Sequence, residues 1–222
     1  MGSAVFRSTL AFDTAGGRVD LGWSEDGLDS STRSRVVEAL GFDSGVIRLA
    51  RQVHGGEILE PGIAGDHWGS SWQGERPPCF EADGLVGRDG PEVLAVQVAD
   101  CLPVAVSGPG GRALLHLGWR GLATDMLERA VGMVDGEVAV IGPSIGPCCY
   151  EVGPEVAAIL GIERGPLGTI DLAALARRRL ETVGVDSVFA TGLCTSCEEA
   201  LFFSFRRQGE QAGRQMAFLS SY

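Results

Sequence analysis

Residues 98–119 ("VADCLPVAVSGPGGRALLHLGW") place a thiol, Cys101, and an imidazole, His116, on either side of a glycine-rich turn. If two antiparallel strands turn at Gly108–Pro109, Cys101 faces His116 directly, and side chains opposed in this way lie about 5 Å apart. A register shift of one residue at Pro103 would place the two side chains on opposite faces. The pattern therefore favours a Cys–His site but leaves the register open.

A cysteine and a histidine at that distance suit two chemistries. The imidazole can lower the thiol pKa and create a nucleophile, or both side chains can bind one zinc ion. A catalytic zinc needs a third protein ligand; His54 in "QVHGG" is the better candidate and His67 the weaker one, because glycines beside His54 allow close approach. A third interpretation is that Cys101 simply packs in the core.

The elements that would position these residues follow from hydrophobic periodicity. Strand patterns outnumber helical patterns and often follow one another directly, which indicates an α+β fold with mixed sheets. Strands are predicted at residues 4–12, 18–23, 45–53 (ending at His54), 92–99, 104–106 after an interruption at Pro103, 112–119, 137–142, 187–193 and 215–221, and helices at 30–40, 122–134 and 169–184. Residues 61–79 are predicted to form a long polar loop.

Composition narrows the classes of function. The 222 residues carry a formal net charge of −11, which disfavours a nucleic-acid partner. We find neither an export signal nor a membrane span, so the sequence predicts a soluble cytoplasmic protein. In that compartment the six cysteines are expected to be thiols, metal ligands or redox groups before structural disulfides.

Four cysteines away from Cys101 give weaker signals. Cys194 and Cys197 form a single CxxC, and Cys148 and Cys149 are adjacent. A lone CxxC without a thioredoxin-like context is weak evidence for a redox or metal site, and adjacent cysteines are poorly spaced for chelating one metal. Cys194 and Cys197 are therefore predicted to be free thiols, and Cys148 and Cys149 are predicted to pack in the loop near the candidate site.

Six motifs occur in one order along nearly the whole chain. They are "QVHG" at 52–55, "ADG" at 82–84, "ADCLPV" at 99–104, "HLGWRGL" at 116–122, "IGPSIGPCCYEVG" at 141–153, and "FFSFRR" with "GRQ" at 202–207 and 213–215. This series resembles the laccase-domain or polyphenol-oxidase family, now regarded as purine nucleoside phosphorylases. The resemblance implies one domain over residues 1–222, an α/β/β/α sandwich shared with the catalytic domain of a cytotoxic necrotizing toxin.

The resemblance also implies a cofactor and a reaction. His54, Cys101 and His116 correspond to the family's zinc ligands, so the metal inferred from the hairpin and the family's metal converge. The family cleaves adenosine, inosine and methylthioadenosine with phosphate, and deaminates adenosine to inosine. Copper is less expected, because three ligands for one metal are too few for the several copper ions of a true laccase.

Further roles follow from the chemistry that the family performs. Phosphate would be held by arginines: Arg120, just before a helix, is preferred, and Arg206, Arg207 and Arg214 form a second basic cluster. Asp100 is a catalytic acid–base candidate for deamination, with Glu81 and Asp83 as others, although strand alternation points Asp100 away from the face of Cys101. Trp68 and Trp72 could stack on a purine base or pack at the rim.

The chain departs from the family near its N-terminus. Ala15 stands where arginine is usual, the "SLN" portion is shortened, "TRSR" replaces the expected "NR", and Phe205 replaces the tyrosine of "SYRR". Three other interpretations therefore stay open. They are a cysteine hydrolase using Cys101 and His116, a copper-dependent polyphenol oxidase, and a catalytically weakened nucleoside-binding protein.

Overall fold

The computed structural model describes residues 7–14, 17–23, 47–60, 80–88 and 90–220, with side chains described from residue 47 onward. The predicted helix at 30–40 and the predicted loop at 61–79 lie outside the described residues, together with Ala15, His67, Trp68, Trp72 and Cys79.

The described strands form two mixed sheets. In chain order they are β1 (Arg7–Thr14), β2 (Gly17–Trp23), β3 (Ile47–Arg48), β4 (Ile58–Leu59), β5 (Gly84–Gly87), β6 (Val93–Val98), β7 (Leu102–Gly108), β8 (Gly111–Leu117), β9 (Val138–Ile141), β10 (Ser187–Ala190) and β11 (Gln215–Ser220). The first sheet has the order β1-β2-β11-β6-β3, and the second has the order β10-β9-β7-β8-β5-β4. Three of the pairings are parallel, β3 with β6, β4 with β5 and β9 with β10, and the other described pairings are antiparallel.

The helices of the described chain are short. They are α1 (Trp119–Leu122), α2 (Met126–Val134), α3 (Pro154–Leu160), α4 (Leu172–Thr182) and α5 (Phe205–Gln208), which leads into a 3₁₀ turn at Gly209–Gln211. The strongly amphipathic pattern of residues 169–184 is realised as α4, which begins after Asp171, whose carboxylate accepts the Ala174 N–H at 2.8 Å. The predicted helix at 122–134 begins four residues later, as α2 at Met126, and Leu122 is the last residue of α1. Trp119, predicted as strand, and Arg120, predicted to precede a helix, lie inside α1, and α3 was not predicted.

Two hydrophobic layers hold these elements together. Small and aliphatic side chains from both sheets, including Leu94 and Leu219 from one and Ala105 and Leu114 from the other, pack between the sheets. The opposite face of the second sheet, including Val104 and Leu115, packs against α2 and α4. The result is the sandwich of mixed sheets and helices that the sequence predicts, with two sheets and one helical layer within the described residues.

The central hairpin differs in register from the sequence prediction. Leu102 pairs with Leu117 and Pro103 pairs with His116, because the turn is formed by Pro109 and Gly110. The predicted pairing was therefore wrong by two residues, and Cys101 comes just before β7, level with Gly118. A shift of two keeps the same face of the sheet, so Cys101 and His116 still project to one side.

Pro103 does not interrupt the strand as predicted. It lies inside β7, and its carbonyl accepts a hydrogen bond from the Gly142 N–H at 2.8 Å. The N–H of its partner His116 points instead to the carbonyl of Asp83, at 2.7 Å. The ladder therefore continues through Pro103 without needing the N–H that proline lacks.

Candidate functional site

His54, Cys101 and His116 converge at one end of the second sheet. Their ligand atoms, one from each residue, all lie within 4.8 Å of one another. The two imidazole rings meet edge to face, with centroids 4.8 Å apart and an interplanar angle of 75°. The three residues that the sequence assigns to a metal are therefore brought together by a hairpin and a separate turn.

The turn that carries His54 is not the strand end that the sequence predicts. Residues 45–53 were expected to form a strand, but β3 covers only Ile47–Arg48, and His54 adopts a φ of 59°. This left-handed conformation is uncommon for residues other than glycine. It turns the chain so that the imidazole of His54 points toward Cys101 and His116.

Asp83 forms hydrogen bonds that fix the positions of both His54 and His116. One carboxylate oxygen lies 2.7 Å from Nδ1 of His116 and accepts the His54 N–H at 3.0 Å. The other accepts the N–H groups of Val53 and Gly55 at 3.1 and 2.6 Å. One carboxylate that is only 1% exposed thus orients a ligand ring and stabilises the turn of a second ligand.

The charges of these groups support one another. Burial opposes ionisation of Cys101, but hydrogen bonds with His116 and His54 outweigh it and lower the thiol pKa to about 7. Burial likewise opposes the charged form of His116, and hydrogen bonds with Asp83 and Cys101 outweigh it and raise its pKa to about 9. Burial also disfavours the Asp83 carboxylate, yet hydrogen bonds from His116 and Gly55 keep its pKa below the usual value.

The donor set fits a thiophilic metal ion with an open position. Two imidazoles and one thiol give three nitrogen and sulfur ligands, the number that a catalytic zinc takes from protein. His116 is buried, Cys101 is partly exposed and His54 is exposed, so the site opens to the surface on the side of His54. A thiol nucleophile would need only one imidazole partner, so the presence of a second imidazole, that of His54, within 4.8 Å favours a metal site instead.

Asp100 lies beside Cys101 but faces other partners. It has a φ of 88°, and its carboxylate accepts the Thr195 hydroxyl at 2.6 Å and the Arg206 N–H at 2.7 Å. Its carbonyl accepts the N–H of Ile145 at 2.9 Å. These contacts tie two other loops to the residue before Cys101, a candidate metal ligand, which fits a positioning role better than acid–base catalysis.

Glu81, the third acid–base candidate, lies at the surface. Its carboxylate pairs with Arg51 at 3.2 Å, and more than half of each side chain is exposed.

The arginines predicted to bind phosphate differ in their surroundings. Arg120 is exposed in α1, with its guanidinium 4.5 Å from the ring centroid of Trp119. Arg206 lies 5.4 Å from the ring centroid of Tyr150 and donates to the carbonyls of Cys149 and Glu151 at 3.3 and 2.9 Å.

The other two arginines are engaged by the backbone. Arg207 donates to the carbonyls of Thr195, Ser196 and Phe202 at 2.6–2.9 Å. Arg214 donates to those of Ala212 and Gly213. Both therefore brace loops and are only partly exposed, whereas Arg120 and Arg206 are exposed. Arg206 also donates to two carbonyls, so Arg120 is the stronger candidate for a phosphate ligand.

Tyr150 is a site residue that the sequence reasoning missed. It is partly buried, and burial raises its pKa, with a further increase from the charge of Cys101 and opposing effects from Arg206 and Arg120. Its hydroxyl is therefore within electrostatic reach of a metal ligand and of both candidate phosphate ligands. Its place in "GPCCYEVG" was the available signal.

The four remaining described cysteines also come together. The sulfur atoms of Cys148, Cys149, Cys194 and Cys197 all lie within 4.8 Å of one another, and none forms a disulfide. Cys194 and Cys197 were predicted to be free thiols and Cys148 and Cys149 to pack in their loop; all four are free, and their common location was not foreseen.

Comparison with known proteins places the chain in a family. Residues 29–221 match the family described as multi-copper polyphenol oxidoreductase laccase, and the chain belongs to this laccase-domain family. The resemblance seen in the sequence motifs is thereby confirmed.

Its curated relatives carry a more specific name. A protein from Xylella fastidiosa strain Temecula1, named purine nucleoside phosphorylase, is 37% identical over 201 residues, covering 82% of this chain and 74% of that protein. Purine nucleoside phosphorylase YfiH of Escherichia coli K12 is 35% identical over 203 residues, covering 84% and 78%. These relatives support an enzyme of the purine nucleoside phosphorylase kind.

Solved structures agree with the fold. YlmD from Geobacillus stearothermophilus superposes with a TM-score of 0.79 at 26% identity, covering 98% of this chain and 99% of that chain. The Bacillus licheniformis hypothetical protein YfiH gives a TM-score of 0.78 at 26% identity, with the same coverage. The predicted α+β sandwich is confirmed.

Within the described residues, none of the helices combines the length and the apolarity that crossing a bilayer requires.

Proposed function

We propose that this chain is a zinc-dependent purine nucleoside phosphorylase that cleaves adenosine, inosine and methylthioadenosine and also deaminates adenosine to inosine. The observation that carries the proposal is the convergence of His54, Cys101 and His116 above the buried Asp83. The names of the relatives supply the reaction class. Nucleoside and phosphate are its proposed partners, and the cytoplasm is its proposed location.

Zinc would be held by His54, Cys101 and His116. A metal ion with an open position supplies polarisation of a substrate oxygen or activation of water. The chain's own contribution is to lower the pKa of Cys101 to about 7 and to orient His116 by the carboxylate of Asp83. Copper fits less well, since the three ligand atoms that the described residues bring together here are too few for the several copper ions of a true laccase.

In phosphorolysis, an oxygen of phosphate forms a bond to C1′ of the ribose while the C1′–N9 bond breaks. The base leaves with the bonding electrons and takes up a proton, and the other product is ribose 1-phosphate, or 5-methylthioribose 1-phosphate when the substrate is methylthioadenosine. Positive charge develops on the sugar, and phosphate must be held beside it. Arg120 and Arg206 are the proposed phosphate ligands, because both residues are exposed, Arg120 follows His116 by four residues, and the backbone N–H of Arg206 donates to Asp100, the neighbour of Cys101.

In deamination, water adds at C6 of adenosine and ammonia leaves, so phosphate takes no part. This difference makes the two activities separable in one experiment. Purified, metal-analysed protein is incubated with adenosine with and without phosphate, and the products are separated by chromatography. We expect adenine and hypoxanthine only when phosphate is present, and inosine under both conditions.

Three outcomes would contradict the proposal. No product from protein that carries zinc and binds adenosine would favour the nucleoside-binding interpretation. Phenol oxidation by copper-loaded protein, without phosphorolysis by zinc-loaded protein, would favour the oxidase. Turnover that persists in fully metal-free protein would favour chemistry by the Cys101 thiol.

Arg120→Ala is expected to raise the KM for phosphate about 10- to 100-fold, because a charge-assisted hydrogen bond contributes about 1.5–3 kcal/mol. Inosine formation without phosphate is expected to stay unchanged. Initial rates at varied phosphate concentration measure the effect. Arg178→Ala, which removes an exposed arginine of α4, is the matched control; equal effects of the two substitutions would rule out a specific phosphate contact at Arg120.

A further inference from the structure

Four cysteines from two loops surround a common point outside the site formed by His54, Cys101 and His116. Cys148 and Cys149 lie in the loop between β9 and α3, and Cys194 and Cys197 lie in the turn that follows β10. The sulfur of Cys197 lies 3.4 Å from the sulfurs of Cys148 and Cys149, and all four sulfurs are within 4.8 Å of one another. A disulfide bond is about 2.05 Å long, so these are four separate thiols.

The separations suit one tetrahedral metal ion. With Zn–S bonds of about 2.3 Å, the sulfurs of a tetrahedral site lie about 3.8 Å apart, within the range of spacing seen here. An iron–sulfur cluster places several irons between its cysteines and holds their sulfurs farther apart than a single ion does. The geometry is therefore that of a single-ion site.

Packing alone does not explain the cluster. Cys148 and Cys197 are exposed, and Cys149 and Cys194 are only partly buried, whereas a cysteine that serves as a small apolar side chain is usually buried. Because the four side chains are at most partly buried, separating them would cost little hydrophobic stabilisation. A shared ligand gives a reason for them to stay together.

The backbone around the cluster is arranged as a support for sulfur ligands. The Gly146 N–H points to the sulfur of Cys194 at 3.2 Å, and a Cβ on Gly146 would lie 3.4 Å from the sulfur of Cys148. Ser144 joins the two loops, because its N–H donates to Leu193 at 3.2 Å and its carbonyl accepts from Thr195 at 3.0 Å. The two-residue spacing of Cys194 and Cys197 is common among structural zinc ligands.

We propose that Cys148, Cys149, Cys194 and Cys197 bind one zinc ion in a closed four-thiolate site. All four coordination positions are filled by protein, so the ion is structural and no position remains for substrate. On binding, the thiols release their protons to solvent and four Zn–S bonds form, with no change of oxidation state.

The four-cysteine site lies between loops that contact residues near Cys101. Cys149 is followed by Tyr150, and its carbonyl accepts a hydrogen bond from Arg206 at 3.3 Å. Thr195, between the two ligands of the other loop, donates to Asp100, the neighbour of Cys101. A zinc ion here fixes the two loops that carry Tyr150 and brace Arg206 and Asp100, so it positions one wall of the site at Cys101.

Metal content of the full chain tests the proposal. The chain is produced with zinc in the medium and purified in reductant without chelator, and zinc is measured per chain together with the sulfur coordination by X-ray absorption. His54→Ala removes a ligand of the other site, and we expect it to retain one zinc with four sulfur and no nitrogen ligands. In the unaltered chain the expected content is two zinc ions, one with four sulfur ligands and the other with one sulfur and two nitrogen ligands.

Two further variants separate the sites. The double variant Cys194→Ser/Cys197→Ser is expected to lose one zinc, to keep the mixed nitrogen and sulfur coordination, and to unfold at a lower temperature. Ser196→Ala, between those cysteines, is the matched control and should keep both ions. If the double variant does not fold, the measurement on His54→Ala and the unaltered chain still decides.

Zinc-free His54→Ala protein that is folded would overturn the proposal. A disulfide within the cluster of the reduced-purified chain, or bound iron instead of zinc, would also overturn it. None of these results depends on the phosphorylase activity, so failure of this proposal and failure of the proposed function are distinguishable.

Discussion

Replacing Cys101 by alanine is expected to remove one equivalent of zinc from the chain and to lower adenosine phosphorolysis about a thousandfold. Metal catalysis contributes several kcal/mol of transition-state stabilisation, and about 4 kcal/mol corresponds to that factor. The sulfur of Cys101 is one of the three ligand atoms that the described residues bring together at this site, so alanine leaves two imidazoles that bind zinc weakly. Metal analysis and initial rates measure the two effects.

His54→Ala distinguishes the metal from a thiol nucleophile. If zinc is the reactive centre, His54→Ala and Cys101→Ala should lose zinc and activity to a similar extent. If Cys101 is a nucleophile activated by His116, His54→Ala should retain much of the activity while Cys101→Ala loses it. Circular dichroism of both variants serves as the folding control. A Cys101→Ala protein with unchanged zinc content and rate would contradict both interpretations.

Asp83→Asn is expected to reduce zinc affinity or activity about 10- to 100-fold, the range found when a partner of a metal-bound histidine is removed. Both oxygens of Asp83 accept backbone hydrogen bonds. One accepts the His54 N–H and also contacts Nδ1 of His116, and the other accepts the N–H groups of Val53 and Gly55. Whichever way an asparagine amide is oriented, its NH₂ group faces backbone N–H donors. The turn of His54 and the ring of His116 are therefore both disturbed by one substitution.

Zinc affinity by competition with a chelator measures this effect. Glu81→Gln is the matched control, since it neutralises a carboxylate two residues away that is exposed and paired with Arg51. Equal losses in the two variants would indicate a general effect of charge, and an unchanged Asp83→Asn protein would show that the hydrogen bonds of this carboxylate do not support the ligands.

Much of the fold is readable from local patterns in the chain. The apolar run of β6, the hairpin of β7 and β8 and the amphipathic helix α4 each bury a face whose periodicity is written in consecutive residues. The proximity of Cys101 and His116 was predictable as well, because a hairpin pairs residues that are close in sequence. The error of two in the register did not change their face.

Other features depend on contacts between distant parts of the chain. The apolar pattern of residues 45–53 predicts a strand up to His54, but the strand covers only Ile47–Arg48. The left-handed turn at His54 forms around the carboxylate of Asp83, which is distant in sequence, so the local pattern does not indicate it. Asp83 was considered as an acid or base, and only its three-dimensional partners define it as a support for ligands.

The sequence by itself determined the family, the sandwich of mixed sheets and the three residues of the candidate zinc site. Residue types, local periodicity and ordered motifs carry that information. Only the tertiary structure decided that Cys148 and Cys149 meet Cys194 and Cys197, which are more than forty residues away in sequence. The reason is physical: the parallel pairing of β9 with β10 brings the loops after the two strands to the same edge of the sheet, and no pattern within either loop records the other.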